Sequence, residues 1–145
     1  MAEGLALAQA VCTRLCHDLG GPTGALAGAL ELFEGAADEA TEVANDAARI
    51  IDRRLRFWRV AVGGAGAELD APAVAQLAEG LTLGRRAVVD LSGLAEGATV
   101  PPVLVQPLLL AMLVGVEAMP RGGVLRVSGS LEDGLSVLPD GPGAA

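Results

Sequence analysis

The first part of the chain carries a long helical pattern of apolar residues. They recur at alternating intervals of three and four positions, which places them on one face of an amphipathic helix, as in bundles and coiled coils. These positions are Leu5, Ala8, Cys12, Leu15, Leu19, Pro22, Leu26, Ala29 and Phe33. The pattern predicts one helix over residues 5–33, in which Cys12 and Cys16 pack as small buried residues.

A second helical pattern follows a break at Gly35 and extends from Ala36 to Val62. Its first half is acidic and its second half is rich in arginine, an arrangement that complements the helix dipole. The short connection at Gly35 predicts an antiparallel hairpin of the two helices. Because one hairpin cannot bury both apolar faces, we expect a homodimer in which two hairpins form a four-helix bundle.

After the glycine-rich segment at residues 63–67, shorter helices and strands replace the long helical pattern. The expected elements are a helix over 72–79 capped by Asp70, an apolar helix over 101–119, and strands over 86–91, 124–130 and 135–138. Helices packed on an antiparallel sheet would form a small α/β sandwich. The predicted class is therefore α+β, with a helical-hairpin domain at residues 1–63 and the sandwich domain at residues 64–145.

Composition narrows the possible partners. The net charge is −8 and all ten cationic side chains are arginines, so the chain lacks the basic surface that nucleic-acid binding requires. No apolar run reaches the roughly 18 residues of a membrane span, and the first residues lack a basic leader, so we expect a cytoplasmic protein. The one histidine and two cysteines do not have the spacing of a metal site.

The only histidine in the chain, His17, lies on the helix face opposite the apolar positions, so we expect its imidazole to be exposed. The residues one or two turns away on that face are Thr13, Arg14, Gly20, Gly21 and Gly24. A glycine inside a helix costs about 1 kcal/mol relative to alanine. The glycines indicate either a kinked or frayed helix around Pro22 or a bare strip that admits the backbone of another protein, and we favour the strip.

The predicted hairpin also places an arginine cluster near His17. Reflection about Gly35 sets His17 opposite residues 54–56 of the second helix. Guanidinium groups there would stabilise a phosphate and attract an acidic partner. We therefore include Arg53 and Arg56 with the five residues above as candidate docking residues.

The segment Arg14–Ala25, with the order His17-Asp18-Leu19-x-x-Pro22, resembles the phosphoacceptor region of two-component histidine kinases. It resembles still more closely the histidine phosphotransferases of the ChpT type. This resemblance implies a dimeric four-helix bundle and a phosphohistidine on His17. It also implies phosphoryl exchange with receiver domains of a hybrid histidine kinase and of response regulators. Asp18 is the candidate to orient the ring and accept its other proton. Receiver domains bring their own Mg²⁺.

The second domain resembles a degenerate kinase ATPase domain. Ala111 and Gly115 occupy the positions that we align with the Mg²⁺-binding asparagines of kinases, and neither can ligate a metal. Asp140-Gly141-Pro142-Gly143 resembles a remnant of the adenine-binding Asp-x-Gly-x-Gly motif. We therefore expect a phosphotransferase that needs neither ATP nor a cofactor of its own. The alternatives are a fragment of a histidine kinase that binds ATP and a dimerisation or adaptor module without phosphoryl chemistry.

Overall fold

The computed structural model describes residues 2–31, 37–63, 67–130 and 132–142. Within them it contains four helices and five strands. In chain order these are α1 (Ala2–Glu31), α2 (Ala37–Gly63), β1 (Leu69–Asp70), α3 (Ala71–Thr82), β2 (Ala87–Leu94), β3 (Thr99–Val100), α4 (Pro102–Glu117), β4 (Gly123–Ser130) and β5 (Gly134–Asp140). The α+β class is confirmed. The chain divides into two compact units, Met1–Arg54 and Leu55–Ala145.

The first unit consists of α1 and the greater part of α2. Both predicted helices are confirmed, and α1 continues through Pro22 without interruption, so the alternative of a frayed helix is wrong. Arg54 of α2 contacts Asp18 of α1. Because these residues lie at similar distances along their helices from the connection, α2 runs back along α1. The predicted turn at Gly35 and the apolar residue Phe33 lie outside the described residues.

The apolar face of α1 is only partly covered in this unit. Pro22 and Ala29 are buried, whereas Leu5 is 63% exposed. Cys12 and Cys16 are both exposed, so neither is buried within the single chain as the sequence predicts. One neighbouring helix covers only one side of α1, and a periodic pattern does not indicate how much of an apolar face the fold covers.

The second unit contains a three-stranded sheet in the order β2-β4-β5. Strand β4 pairs parallel to β2 and antiparallel to β5, so the expectation of a purely antiparallel sheet is wrong. The physical reason is the helix between β2 and β4, because a helical crossover returns the chain to the same end of the sheet. The short β1–β3 ladder was not predicted, since two residues per strand are too few to show alternation.

Helices α3 and α4 form one layer on this sheet. Val105, Leu109 and Met112 of α4 and Leu125 and Val127 of β4 are all fully buried and form the centre of the core. Gly115 permits close approach of the two layers, because a Cβ atom there would clash with Cδ1 of Leu125.

The N-terminus of α3 is capped as the sequence predicts. Oδ1 of Asp70 accepts a hydrogen bond of 2.8 Å from the backbone N–H of Ala73, which satisfies one of the free donors of the first turn. The last turns of α2 also belong to this unit, and they bury Phe57 and Trp58 in an edge-to-face contact. The two compact units thus divide inside α2. The domain boundary that the sequence predicts at 63/64 stays a prediction, and residues 64–66 lie outside the described part.

Candidate functional site

His17 projects from the middle of α1 into solvent. Its side chain is 78% exposed, which confirms the position predicted from the helical register. Helix α1 has no other histidine, and an exposed neutral imidazole is a ready nucleophile.

Asp18, the next residue, is buried. Its carboxylate forms an ion pair with Arg14 one turn earlier. Nη2 of Arg14 lies 3.0 Å from Oδ1 of Asp18, and Nε of Arg14 donates to Oδ2 at 3.3 Å. Nδ1 of His17 lies 3.7 Å from Oδ1 of Asp18, which is beyond hydrogen-bonding range. Arg14 therefore contacts both oxygens of this carboxylate, and the role of Asp18 toward the ring of His17 stays a prediction.

The backbone carbonyl of Asp18 also has a side-chain partner. In an α-helix this oxygen would accept from the N–H four residues later, but that residue is Pro22, which has no N–H. Nη1 of Arg54 on α2 donates to this carbonyl instead. At the next position, Oγ1 of Thr23 donates to the carbonyl of Leu19 at 2.7 Å. Side chains therefore donate to two successive carbonyls of the turn that follows His17.

The three glycines of α1 that directly follow His17 have no packing role in the described part of the chain. Gly20, Gly21 and Gly24 are exposed, and a Cβ atom on any of them would meet no neighbouring atom within 4 Å. Their φ angles are not positive, so backbone conformation does not require glycine either. Residues 20, 21 and 24 together form a bare surface beside His17, which we call the glycine strip.

The other predicted docking residues differ in their surroundings. Thr13 is exposed, whereas Arg14 is largely covered and pairs with Asp18. Arg53 is half-buried on α2, and Arg56 is exposed and belongs to the second unit. Their docking role stays a prediction.

Arg54 is the residue that the sequence reasoning missed. It lies in the range predicted to face His17 but was not included among the candidate site residues. The signal that could have found it is the four-residue spacing from Asp18 to Pro22, because that spacing leaves a helix carbonyl without its backbone donor.

The second unit contains an open apolar groove of about 480 Å³ between α4 and β5. Its lining residues are Leu110, Ala111, Val114, Gly115, Ala118, Val137 and Pro139. Beside it, the carboxylate of Asp140 lies 3.0 Å from Nη2 of Arg126. Residues 2–31, 37–63, 67–130 and 132–142 contain no metal-binding cluster of His, Cys, Asp or Glu. Among the same residues, no helix is long and apolar enough to cross a membrane.

Comparisons with known proteins agree on one family. Residues 71–145 match the family model described as the histidine phosphotransferase C-terminal domain. The chain is 34% identical to the protein phosphotransferase ChpT of Brucella abortus (strain 2308) over an alignment of 145 residues, covering 94% of this chain and 68% of that protein. A solved structure described as a bacterial phosphotransferase superposes with a TM-score of 0.77 at 32% identity, covering 97% of this chain and 70% of that one.

Proposed function

The chain belongs to the histidine phosphotransferases of the ChpT type, and on that premise we propose that His17 carries the phosphoryl group. As a phosphorelay histidine phosphotransferase it needs an imidazole that a partner can reach. The observation that carries the assignment is the exposure of His17, the only histidine in the chain, beside the glycine strip.

The proposed reaction has two steps. The free imidazole nitrogen of His17 attacks the phosphorus of an aspartyl phosphate on a receiver domain, so that an N–P bond forms and the acyl-phosphate P–O bond breaks. The receiver carboxylate leaves with the bonding electron pair. A second receiver then takes the phosphoryl group by the reverse chemistry. Such transfer needs mainly positioning and charge neutralisation, for which the receiver supplies Mg²⁺.

Asp18 is proposed to orient the ring of His17 and accept its other proton. The distance of 3.7 Å from Nδ1 to Oδ1 is short enough for a small rotation of the exposed imidazole to form a hydrogen bond. Such a bond would leave the opposite ring nitrogen unprotonated and directed toward solvent. That nitrogen is the one that would attack the phosphorus.

The proposed docking surface of the first unit is the glycine strip together with Thr13, Arg14 and Arg53. Glycines allow the backbone of a receiver domain to approach α1 closely, so that its aspartate can reach His17. The arginines would favour an acidic receiver surface and the phosphoryl group that it carries.

Transfer without ATP is also part of the proposal. The groove between α4 and β5 is lined by apolar side chains, which can neither donate to phosphates nor ligate Mg²⁺. Asp140, in the remnant of the adenine-binding motif, is paired with Arg126. Both observations support a phosphoryl supply from a partner receiver rather than from a nucleotide.

Phosphotransfer from a receiver labelled with radioactive phosphate tests the function directly. We expect the wild-type protein to take up the label and His17→Ala to take up none, because no other side chain replaces the nucleophile. Arg49→Ala is a matched control, since this exposed arginine pairs only with its neighbour Asp46 at 3.4 Å among the contacts described. Circular dichroism would show that both variants keep the helical content of wild type.

Incubation with labelled Mg·ATP in place of the receiver separates the alternatives. Labelling of His17 by ATP alone would support a histidine kinase fragment and contradict transfer without ATP. No label from any phosphorylated receiver, with ATP also inactive, would contradict the proposal and favour a dimerisation or adaptor module.

A further inference from the structure

The spacing of Asp18 and Pro22 creates a defect in α1 at the turn that presents His17. Every backbone carbonyl in a helix interior normally accepts a hydrogen bond from the N–H four residues later. Pro22 removes that donor for Asp18, yet α1 remains helical on both sides. Since Asp18 is buried, water has little access to replace the lost bond.

Arg54 supplies the missing donor from the second helix. Its Nη1 donates to the Asp18 carbonyl, and this hydrogen bond joins α2 to the turn that carries His17. The donor is a cationic guanidinium, which forms stronger hydrogen bonds than a neutral amide. Thr23 donates to the following carbonyl from within α1, whereas Arg54 reaches this turn from α2.

We propose that Arg54 is a positioning residue for phosphoryl transfer, which replaces the backbone donor removed by Pro22 and so fixes the orientation of His17. Pro22 and Arg54 then act together. The proline frees a carbonyl directly after the phosphoacceptor, and the arginine uses that carbonyl to hold the phosphoacceptor turn against α2. The inference rests on the proposed function of His17.

A double-mutant cycle between Pro22 and Arg54 tests this coupling. Arg54→Ala should lower kcat for transfer from a phosphorylated receiver by about ten- to a hundredfold, the size typical of a misplaced reacting group, with little change in KM. In Pro22→Ala the restored backbone N–H bonds the Asp18 carbonyl. The further substitution Arg54→Ala should therefore have little effect on kcat in that background.

Two variants distinguish a positioning role of Arg54 from an effect on folding or on the charge of α2. Arg54→Lys retains a cationic donor and should recover part of the lost kcat, whereas Arg49→Ala removes a surface arginine of the same helix and should transfer as wild type does. Thermal unfolding of each variant gives the folded fraction at the assay temperature. The transfer rates are then expressed per folded protein.

A spectroscopic measurement provides a readout that does not depend on transfer. With ¹⁵N-labelled histidine the chain gives one set of imidazole signals, because His17 is its only histidine. Arg54→Ala should shift or broaden them, and Arg54→Ala combined with Pro22→Ala should return them toward the wild-type position.

Equal losses of kcat from Arg54→Ala with and without Pro22, or unchanged imidazole signals in Arg54→Ala, would overturn the inference. If wild type takes up no label while the imidazole signals still show the coupling, the proposed function fails and the positioning of His17 by Arg54 stands.

Discussion

At the scale of single residues, the reactive side chain of His17 and the interactions that fix its turn lie on different sides of α1. His17 is exposed, whereas the adjacent Asp18 is buried and bonded through both its carboxylate and its carbonyl. The anchoring interactions therefore lie on the side of α1 that faces α2. The opposite side of α1, which bears His17 and the glycine strip, is open to a partner protein.

The glycine strip gives the first prediction at this scale. Gly21→Ala should raise the free energy of unfolding by about 0.5–1 kcal/mol, because alanine is the better helix former and its Cβ atom meets no neighbour. Gly21→Leu or Gly24→Leu should instead block transfer by preventing close approach of a receiver. Urea unfolding measures the stability and label transfer measures the activity.

Gly4→Leu is the matched control for these variants, because Gly4 is an equally unhindered glycine of α1 that lies outside the strip. It should transfer at the wild-type rate. Normal transfer by Gly24→Leu would show that the strip is not a docking surface.

At the scale of elements, three features shape the second unit: a helix cap, a helical crossover and a close contact between a helix and the sheet. The Asp70 cap begins α3, and the crossover through α4 makes β2 and β4 parallel. Gly115 lets α4 lie directly on Leu125 of β4, where a larger residue would displace a fully buried side chain. The cap therefore acts on the start of α3, and Gly115 acts on the contact between α4 and the sheet.

The cap of α3 provides a stability prediction. Asp70→Ala should lower the free energy of unfolding by about 1 kcal/mol, because the N–H of Ala73 loses its acceptor. Asp70→Asn should cost much less, since asparagine is an equally good N-cap. Urea unfolding of the three proteins checks this, and equal losses in both variants would assign the effect to the charge rather than to the cap.

At the scale of the whole molecule, the proposed homodimer depends on the exposed apolar residues of the helical hairpin. Leu5, Ala8 and Cys12 belong to the apolar stripe of α1, and all three are exposed in the single chain. A second copy that covers this stripe would complete a four-helix bundle and bury residues that otherwise face water. The glycine strip lies on the opposite face and would stay open.

Light scattering coupled to size-exclusion chromatography tests the dimer. We expect wild type at twice the chain mass and Leu5→Glu largely at the single mass, because a buried charge opposes the bundle interface. Val103→Glu replaces a similarly exposed apolar residue in the second unit and should leave the dimer intact. A wild-type protein of single-chain mass would contradict the four-helix bundle.

Most elements of the fold could be predicted because their signals are local. Helical periodicity located α1 and α2 to within a few residues, and it placed His17 opposite the apolar stripe. The length of the apolar run located α4. Asp70 followed by Pro72 marked the start of α3. The antiparallel pairing of β4 with β5 agrees with the prediction, whereas β2 and β4 are parallel because the crossover through α4 connects them.

Local sequence patterns are enough to locate the helices, to place His17 on an exposed face and to carry the resemblance to a phosphoacceptor region, since all three depend on residues within a few turns of one another. The exposure of Cys12 and Cys16 in the single chain and the bond from Arg54 to the Asp18 carbonyl depend instead on how α1 and α2 pack. The two partners of that bond are 36 residues apart. Periodicity brings the correct faces of α1 and α2 together, but which arginine meets which carbonyl depends on the axial position at which the helices pack.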